Sequence, residues 1–163
     1  MLHAVTQNAL KKGKNMLWKL KIDRQIKEIE LRSNPIIIRV NKFDEESAKD
    51  FATQISLAHN TGQKVIPIVI DSYGGQVYSL MSMIAAIKAS ELPVATIIEG
   101  KAMSCGAVLF TFGEEGMRYM DPNATIMIHD VSSSQWGKVE EIKASAAETE
   151  RLNKKIYTMM ARN

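Results

Sequence analysis

The sequence predicts one α/β domain built on a parallel sheet, and three observations support this fold class. The chain has 163 residues, of which 45% are hydrophobic and 24% are charged, a profile typical of one packed globular domain. Short apolar runs alternate with stretches of helical periodicity, and no segment is repeated along the sequence. Strand and helix units of this length favour parallel strands joined by right-handed crossovers.

The first unit combines a strand with an amphipathic helix. Residues 34–40 (NPIIIRV) form an apolar run that is typical of a strand ending near Val40. Asp44 follows at the position of a helix N-cap, with acidic residues in the first turn. Apolar residues then recur at helical spacing until Asn60 and Gly62 end the helix: Ala48, Phe51, Ala52, Ile55 and Ala58.

The second unit has the same organisation. Residues 64–72 (KVIPIVIDS) are predicted to form a buried strand, in which Pro67 indicates an edge position or a local irregularity because it removes one ladder hydrogen bond. A helix is predicted over residues 76–90, and Pro93 then introduces the strand VATII. The apolar face of this helix is expected to consist of Val77, Leu80, Met81, Ile84 and Ile87.

The third unit begins at residues 101–110 (KAMSCGAVLF), which are predicted to form a turn into an apolar helix. A loop containing Gly113 and Gly116 follows, and the turn-forming DPN leads into the strand TIMIH. The polar stretch VSSSQWGK then precedes a long charged helix from about residue 139 to residue 160. Because its apolar positions are sparse, this helix is expected to project from the domain towards a partner.

Composition argues against several classes of function. The apolar runs fall far short of the ~20 residues that a membrane-spanning helix requires, and the N-terminus lacks the apolar core of a secretory signal, so a cytosolic protein is expected. The single cysteine and the three histidines share no ligand spacing, which argues against a metal site and an intrachain disulfide. No cofactor is expected.

The first part of the chain is strongly basic. Residues 1–40 carry nine lysines and arginines against three acidic residues, a net charge of +6, whereas the whole chain carries +3 and the remainder therefore −3. A basic N-terminal segment over residues 1–33 is either a nucleic-acid or partner-binding arm or a solvated leader. The basic residues of this segment do not alternate with aromatic residues in the pattern that stacks on bases, so binding to nucleic acid is the less favoured of these interpretations.

Three short elements stand at the ends of predicted strands, where open α/β sheets place their ligand sites: DSYGG, GKAMSCGA and IHD. Ser104 lies at a helix start, where it is either a nucleophile beside an oxyanion-stabilising N–H or simply an N-cap. His129 ends a strand and is either a general base or a locally bonded histidine. Gly74 either points its N–H at a substrate oxygen or only turns the chain, and Cys105 is a rival nucleophile for which packing is the preferred role.

These elements resemble the ClpP family of serine peptidases, the proteolytic subunit of the Clp protease, from about residue 34 to residue 163. The family's Asn-Ser-Pro-Gly-Gly element is matched by DSYGG at residues 71–75, and its Gly-x-Ala-x-Ser-x-Gly-Ala motif by residues 100–107. Its Pro-Asn…Met-Ile-His element is matched by Pro122, Asn123 and residues 127–129. Three motifs in the right order form a specific signal.

The resemblance implies a peptidase that acts on unfolded polypeptides. Ser104 would attack the peptide carbonyl, His129 would act as general base and then acid, and the N–H groups of Gly74 and Cys105 would form the oxyanion hole. The substrate would bind as an added strand between two backbone segments. The residues expected to contact it are Gly75, Val131, Ser132 and Ser133.

The resemblance also implies a fold and an assembly. The fold is a crotonase-like α/β spiral over residues 34–163 that ends in a protruding handle helix. Family members stack two heptameric rings through these handles and enclose the serines in a chamber fed by a ring-shaped ATPase. A compact form of this type would suit a bacteriophage or an organelle.

The sequence departs from the family pattern in ways that keep two alternatives open. The family's third triad residue, an aspartate, follows the handle helix, whereas the given sequence ends at Asn163. Two alternatives are therefore expected. The gene continues for roughly twenty or more residues to that aspartate, or it encodes an impaired homologue. Asp130 would point to the opposite face of the strand from His129. Tyr73 replaces the family proline, and VSSSQWG lacks the usual glycine pair. The alternatives are a catalytically impaired assembly subunit and a crotonase-fold acyl-CoA enzyme.

Overall fold

A computed structural model describes residues 17–18, 29–30 and 35–163 of the chain. Its first two elements, β1 (Leu17–Trp18) and β2 (Ile29–Glu30), form a short antiparallel pair with Leu17 opposite Glu30. The remaining residues of the basic N-terminal segment, and the predictions made for it as an arm or a leader, lie outside the described residues.

The main sheet is parallel throughout. Its strands are β3 (Ile38–Val40), β4 (Ile66–Ser72), β5 (Val94–Met103), β6 (Arg118–Met120) and β7 (Thr125–Met127). The order is β3-β4-β5-β6, and β7 pairs with the second half of β5, beyond the part of β5 that pairs with β6. The predicted α/β domain with a parallel sheet is therefore confirmed.

The helices are α1 (Glu45–Asn60), α2 (Val77–Lys88), α3 (Cys105–Phe110) and α4 (Val139–Met160). The main core joins Phe51 of α1, Leu80 of α2 and Leu109 of α3 to one face of the sheet, which includes Ile68 and Ile70. Alternate strand residues point to the opposite face and form a smaller cluster of Val65, Val69, Ala95, Ile97 and Tyr119.

The start of α1 is capped as the sequence predicts. The Asp44 carboxylate accepts a hydrogen bond from the Ser47 N–H at 2.8 Å, and the Asp44 N–H donates to Ser47 Oγ at 2.9 Å. This reciprocal arrangement satisfies two backbone donors that the first turn leaves without partners.

Pro67 does not mark an edge strand, so the first of the two alternatives predicted for it is wrong. Strand β4 lies between β3 and β5, and the Ile66 N–H donates to Pro93 O on the β5 side. Because successive backbone groups of a strand point to opposite sides, the Pro67 nitrogen faces β3, whose pairing begins only at Ile38 opposite Ile68. The missing hydrogen bond therefore falls before β3 begins, and the register shift of β4 lies further along, between Ile70 and Ser72.

Other boundaries differ from the predictions. Strand β5 continues to Met103 because β7 pairs with Lys101–Met103, whereas the sequence indicated a turn there. Strand β6 was predicted as part of a loop. In α2, Met83 rather than Met81 is buried with the core residues.

Helix α4 has an exposed first half and a packed second half. Val139 and Ile142 are 66% and 44% exposed, whereas Leu152 and Ile156 are 6% and 7% exposed and Ile156 belongs to the main core. The expected projection therefore applies to the first turns of the helix only. None of the helices in the described part of the chain is both long and apolar enough to cross a membrane.

Candidate active site

Ser104 occupies a strained position between β5 and α3. Its φ of 52° and ψ of −119° make it the one non-glycine residue with positive φ among those that the structure describes. The Ser104 N–H donates to Met127 O at 2.8 Å, and its carbonyl accepts from the Val108 N–H at 3.1 Å. The hydroxyl makes no capping hydrogen bond to α3, so the N-cap interpretation of Ser104 does not hold. A backbone strain of about 1–3 kcal/mol is more typical of functional residues than of caps.

Gly74 lies directly against Ser104. A Cβ built on Gly74 would lie 2.8 Å from Ser104 Cβ, 3.0 Å from Met103 O and 3.3 Å from Cys105 N, and the φ of Gly74 is +103°. Only glycine combines that backbone conformation with such a close approach. The backbone nitrogen of Cys105 and the glycine turn after β4 are therefore held beside the serine. In this structure the Gly74 N–H donates to the Oγ of the buried Ser72 at 3.1 Å.

Gly75 closes the other side of this turn. A Cβ on Gly75 would lie 2.5 Å from Phe43 O, and the two residues form an isolated parallel bridge. The Gln76 N–H donates to the same Phe43 carbonyl at 2.8 Å. The turn is thus fixed against the segment that precedes α1.

His129 and Ser104 line one pocket of about 60 Å³. His129 follows β7 and is exposed, and its Nδ1 bonds the Asp130 carbonyl. Because a carbonyl only accepts, Nδ1 is the donor in this contact, and a neutral imidazole bound in this way has its lone pair on Nε2. Within the described part of the chain the imidazole makes this one hydrogen bond, so His129 and Ser104 line the pocket without a hydrogen bond between their side chains.

The carboxylate of Asp130 points to α4 rather than to the imidazole. It accepts a 2.7 Å hydrogen bond from the Tyr157 hydroxyl, and the side chain of Asn153 also lies near it. The Asn153 contact, followed by that of Tyr157, holds the pKa of Asp130 below its ordinary value. The carboxylate therefore stays ionised, and its contacts are with side chains of α4.

The four residues predicted to bind substrate are not all in the same place. Gly75, Val131 and Ser132 line the pocket with Ser104. Ser133 does not, since its hydroxyl forms a 2.8 Å hydrogen bond with Thr149 Oγ1 on α4.

The Cys105 side chain is packed rather than reactive. Cys105 is 3% exposed, and burial raises the pKa of its thiol, which disfavours the thiolate. The thiol donates to Gly75 O at 3.3 Å and so links α3 to the glycine turn. The packing role favoured on sequence grounds agrees with this environment.

Sequence reasoning did not single out Ser72, Asn153 or Tyr157. Asn153 accepts the Val131 N–H at 2.9 Å in addition to its contact with Asp130. A signal was present, because Asn153 and Tyr157 are four residues apart and lie beside the apolar positions Leu152 and Ile156 on one side of α4. Their partners could not be inferred from helical periodicity alone.

Charged and aromatic side chains contact one another just before the glycine turn of residues 74–75. Lys101 Nζ lies 2.8 Å from Asp71 Oδ1 and 4.5 Å from the centre of the Tyr73 ring. The hydrogen bond from Lys101 lowers the pKa of Asp71. Tyr73, which stands where the resemblance expects a proline, is 75% exposed.

Comparison with known proteins assigns the family. The family model described as Clp protease matches residues 22–163, which is most of the chain. The chain belongs to the Clp protease family. Its match begins at residue 22, within the basic N-terminal segment. The parallel α/β sheet and the C-terminal helix are those of a ClpP-type fold, as the sequence predicts.

Two relatives are ATP-dependent Clp protease proteolytic subunits of Bacteroides species. That of Bacteroides thetaiotaomicron is 32% identical over 132 residues, which are 80% of this chain and 60% of the relative. That of Bacteroides fragilis is 30% identical over 132 residues, which are 80% of this chain and 64% of the relative. The chain therefore spans less than two thirds of the length of these Clp proteins.

Proposed function

We propose that this chain is a serine endopeptidase subunit that cleaves peptide bonds in unfolded polypeptides. One observation carries the proposal: Gly74 is packed against a strained Ser104 whose hydroxyl does not cap its helix, and His129 lines the same pocket. Family membership supports the same chemistry.

In the proposed reaction, Ser104 Oγ attacks the peptide carbonyl while its proton passes to His129 Nε2. The carbonyl π electrons move to the oxygen, and the N–H groups of Gly74 and Cys105 stabilise the resulting oxyanion. The C–N bond then breaks as His129 returns the proton to the leaving amine. Water repeats the sequence on the acyl-serine and releases the acid.

Two features of the resting site must change for this reaction. The Gly74 N–H exchanges the Ser72 hydroxyl for the substrate oxygen, and the imidazole moves within bonding distance of Ser104. Such hydrogen bonds commonly tighten only when substrate is bound. The contact between Nδ1 and the Asp130 carbonyl supports the tautomer that the base requires, because the carbonyl can only accept.

The substrate is proposed to lie as an added strand between Gly75 and the segment of Val131 and Ser132, with Ser133 at its edge. The pocket is small, and its lining mixes apolar residues such as Val77, Leu80 and Ile156 with polar residues such as Ser104, Ser132 and Asn153. A pocket of about 60 Å³ favours a small side chain next to the cleaved bond.

The proposed assembly is a homo-oligomer of two stacked heptameric rings. Exposed apolar side chains at the start of α4 support it: Trp136 is 93% exposed, and Val139 and Ile142 are also exposed. A ring-shaped ATPase is the proposed partner, since both relatives are described as ATP-dependent. The division into a basic segment over residues 1–33 and a peptidase domain over residues 34–163 belongs to the same proposal.

A fluorophosphonate probe tests the proposed nucleophile. It should label the wild-type chain, and Ser104→Ala and His129→Ala should not be labelled beyond background. Equal labelling of the Ser104→Ala variant would rule the proposal out. A wild-type chain that forms rings but is neither labelled nor able to cleave peptides would instead be an impaired assembly subunit, and turnover of an acyl-CoA thioester would identify a crotonase-type enzyme.

A further inference from the structure

We propose that Tyr73 forms the binding surface for the substrate residue on the leaving-amine side of the cleaved bond, and that Lys101 positions its ring so that this surface favours an aromatic side chain. The inference rests on the proposed function, because it names a preference of that reaction. Tyr73 directly precedes Gly74, the proposed oxyanion donor, and lies outside the pocket that Ser104 lines.

The ring of Tyr73 is exposed and yet held in place. Tyr73 is 75% exposed, and Lys101 Nζ lies over its ring, 4.5 Å from the ring centre and 2.8 Å from Asp71 Oδ1. A cation is attracted to the negative face of an aromatic ring, so this contact restrains the ring without covering most of it. Gly100 leaves room for the carboxylate, because a Cβ on this glycine would lie 3.0 Å from Asp71 Oδ1.

The side chains of Tyr73 and Lys101 lie on the face of the sheet opposite the main core. Ser72 pairs with Ala102, and both residues are 0% exposed. Their neighbours differ, since Asp71 and Tyr73 are exposed and Lys101 is half-buried. Successive residues of an extended chain point to opposite faces, so Tyr73 points away from the helices that line the pocket.

The proposed course of the substrate brings its leaving-side residue to this face. The residue before the cleaved bond lies beside Gly75, with its side chain in the pocket and its carbonyl oxygen at the Gly74 N–H. An added strand runs alongside its neighbour, so the next substrate residue lies beside Tyr73. Because the side chains of a strand alternate, the side chain of that residue points away from the pocket, towards the face that carries Tyr73 and Lys101.

The charges around the ring favour an aromatic side chain over a charged one. Lys101 and Asp71 are paired with each other, and their hydrogen bond raises the pKa of Lys101 and lowers that of Asp71, so both stay ionised. Each charge is therefore already balanced when a substrate arrives. The open part of the Tyr73 ring offers an apolar surface, on which a second ring gains stacking or edge contact beyond the burial of area. Since the ring is already restrained, less side-chain entropy is lost when the substrate binds.

Internally quenched peptides that differ only after the cleaved bond test this preference. Each has alanine before the bond and phenylalanine, alanine or glutamate after it, and mass spectrometry of the products identifies the bond that is cut. The wild-type chain should cleave the phenylalanine peptide with a kcat/KM about threefold to tenfold above that of the other two. Tyr73→Ala should lose this preference, Tyr73→Phe should keep it, and Lys101→Met should reduce it. The matched control is Tyr78→Ala, which removes a ring that is 60% exposed and bonds Glu148 instead, and it should keep the preference.

A second measurement needs no cleavage. The ¹H–¹³C NMR signals of the tyrosine rings are recorded in the Ser104→Ala chain, and Tyr73→Phe in the same background assigns those of Tyr73. The phenylalanine peptide should shift the Tyr73 signals through its ring current, whereas the alanine peptide should shift them much less. The signals of Tyr78 should stay where they are with both peptides.

The outcomes distinguish this inference from the proposed function. Cleavage without a preference for phenylalanine, with a preference for glutamate, or with a preference that survives Tyr73→Ala would overturn the inference and leave the peptidase proposal standing. If the wild-type chain cleaves none of the peptides, the NMR measurement decides the inference, and the fluorophosphonate probe decides the peptidase proposal. A shift of the Tyr73 signals by the phenylalanine peptide would then support the binding surface, and unchanged signals would overturn it.

Discussion

Gly74 and Ser104 approach so closely that a Cβ on the glycine would lie 2.8 Å from the Cβ of the serine. The two residues follow neighbouring parallel strands, in which Ser72 pairs with Ala102. The contact links the turn after β4 to the start of α3 and brings Gly74 close to both Ser104 and the backbone nitrogen of Cys105.

Gly74→Ala should abolish labelling of Ser104 without unfolding the chain. The added methyl would collide with the serine and force a strained φ, so the backbone N–H of residue 74 would be displaced from the oxyanion. The loss of one oxyanion donor typically costs about 10²–10³-fold in rate. The control is Gly62→Ala in the turn after α1, where φ is also positive at 73° but the site is distant. The control should lose about 1 kcal/mol of stability and keep its labelling. Equal labelling of the two variants would refute the proposed oxyanion role of Gly74.

Cys105→Ala should keep its labelling within about threefold, because the thiol is buried and its raised pKa disfavours the nucleophilic thiolate. Iodoacetamide should modify the native wild-type thiol slowly and the urea-unfolded thiol rapidly. A Cys105→Ala chain that loses all labelling while Ser104→Ala retains it would identify the cysteine as the nucleophile.

Gln63→Leu should destabilise the fold by about 2–4 kcal/mol, measured by urea unfolding. Gln63 is 3% exposed, accepts the Ile36 N–H at 2.8 Å and donates to Val65 O at 2.7 Å. The leucine would leave both backbone groups buried without partners. Gln54→Leu on the half-exposed side of α1 is the control and should change the stability by less than about 0.5 kcal/mol.

Asp44 should make the fold sensitive to acid over a defined range. The hydrogen bond from the Ser47 N–H, followed by that from Lys42, lowers the pKa of Asp44 from 3.8 to about 2. A lowered folded-state pKa contributes stability above the unfolded pKa, and that stability is lost as the pH falls through the folded value. The stability difference between wild type and Asp44→Asn, which still caps but does not titrate, should therefore shrink from about pH 4 to about pH 2. A difference that stays constant in urea titrations across this range would contradict the assignment.

Replacement of an apolar side chain by alanine should have different effects in the two halves of α4. Leu152→Ala removes a buried side chain and should cost about 2–4 kcal/mol in urea unfolding. Ile142→Ala removes a side chain that is 44% exposed and should cost less than about 1 kcal/mol in the same assay. If α4 joins the proposed rings, Ile142→Ala should instead weaken assembly in analytical ultracentrifugation. Equal losses of stability in the two variants would contradict the division of the helix.

The most predictable elements were those with strong local signals. Helix α1 was predicted from its apolar spacing and from Asp44, and both its cap and its end near Asn60 are confirmed. Strand β6 was missed because it has only three residues and exists through its pairing with Thr96–Ile98 of β5. Pro67 was misplaced for a related reason, since a sequence does not show where a neighbouring strand begins.

The candidate site was predictable only in part. Ser104, Gly74 and His129 were selected because each stands at the end of a predicted strand, and parallel strands bring such ends to one edge of a sheet. The roles of Asn153 and Tyr157 were not predictable, because α4 meets the segment after His129 only in the folded chain.

The sequence by itself determined the α/β class, the order of the elements other than β6, and the three motifs that indicate the Clp protease family. Periodicity, caps and turns depend on residues close together in the chain, so they can be predicted from it. Only the tertiary structure decided that the Ser104 hydroxyl does not cap α3, that Gly74 lies against Ser104, and that His129 lines the same pocket. These depend on strand register and on contacts between distant segments, which are set by the packing of the whole domain rather than by local preference.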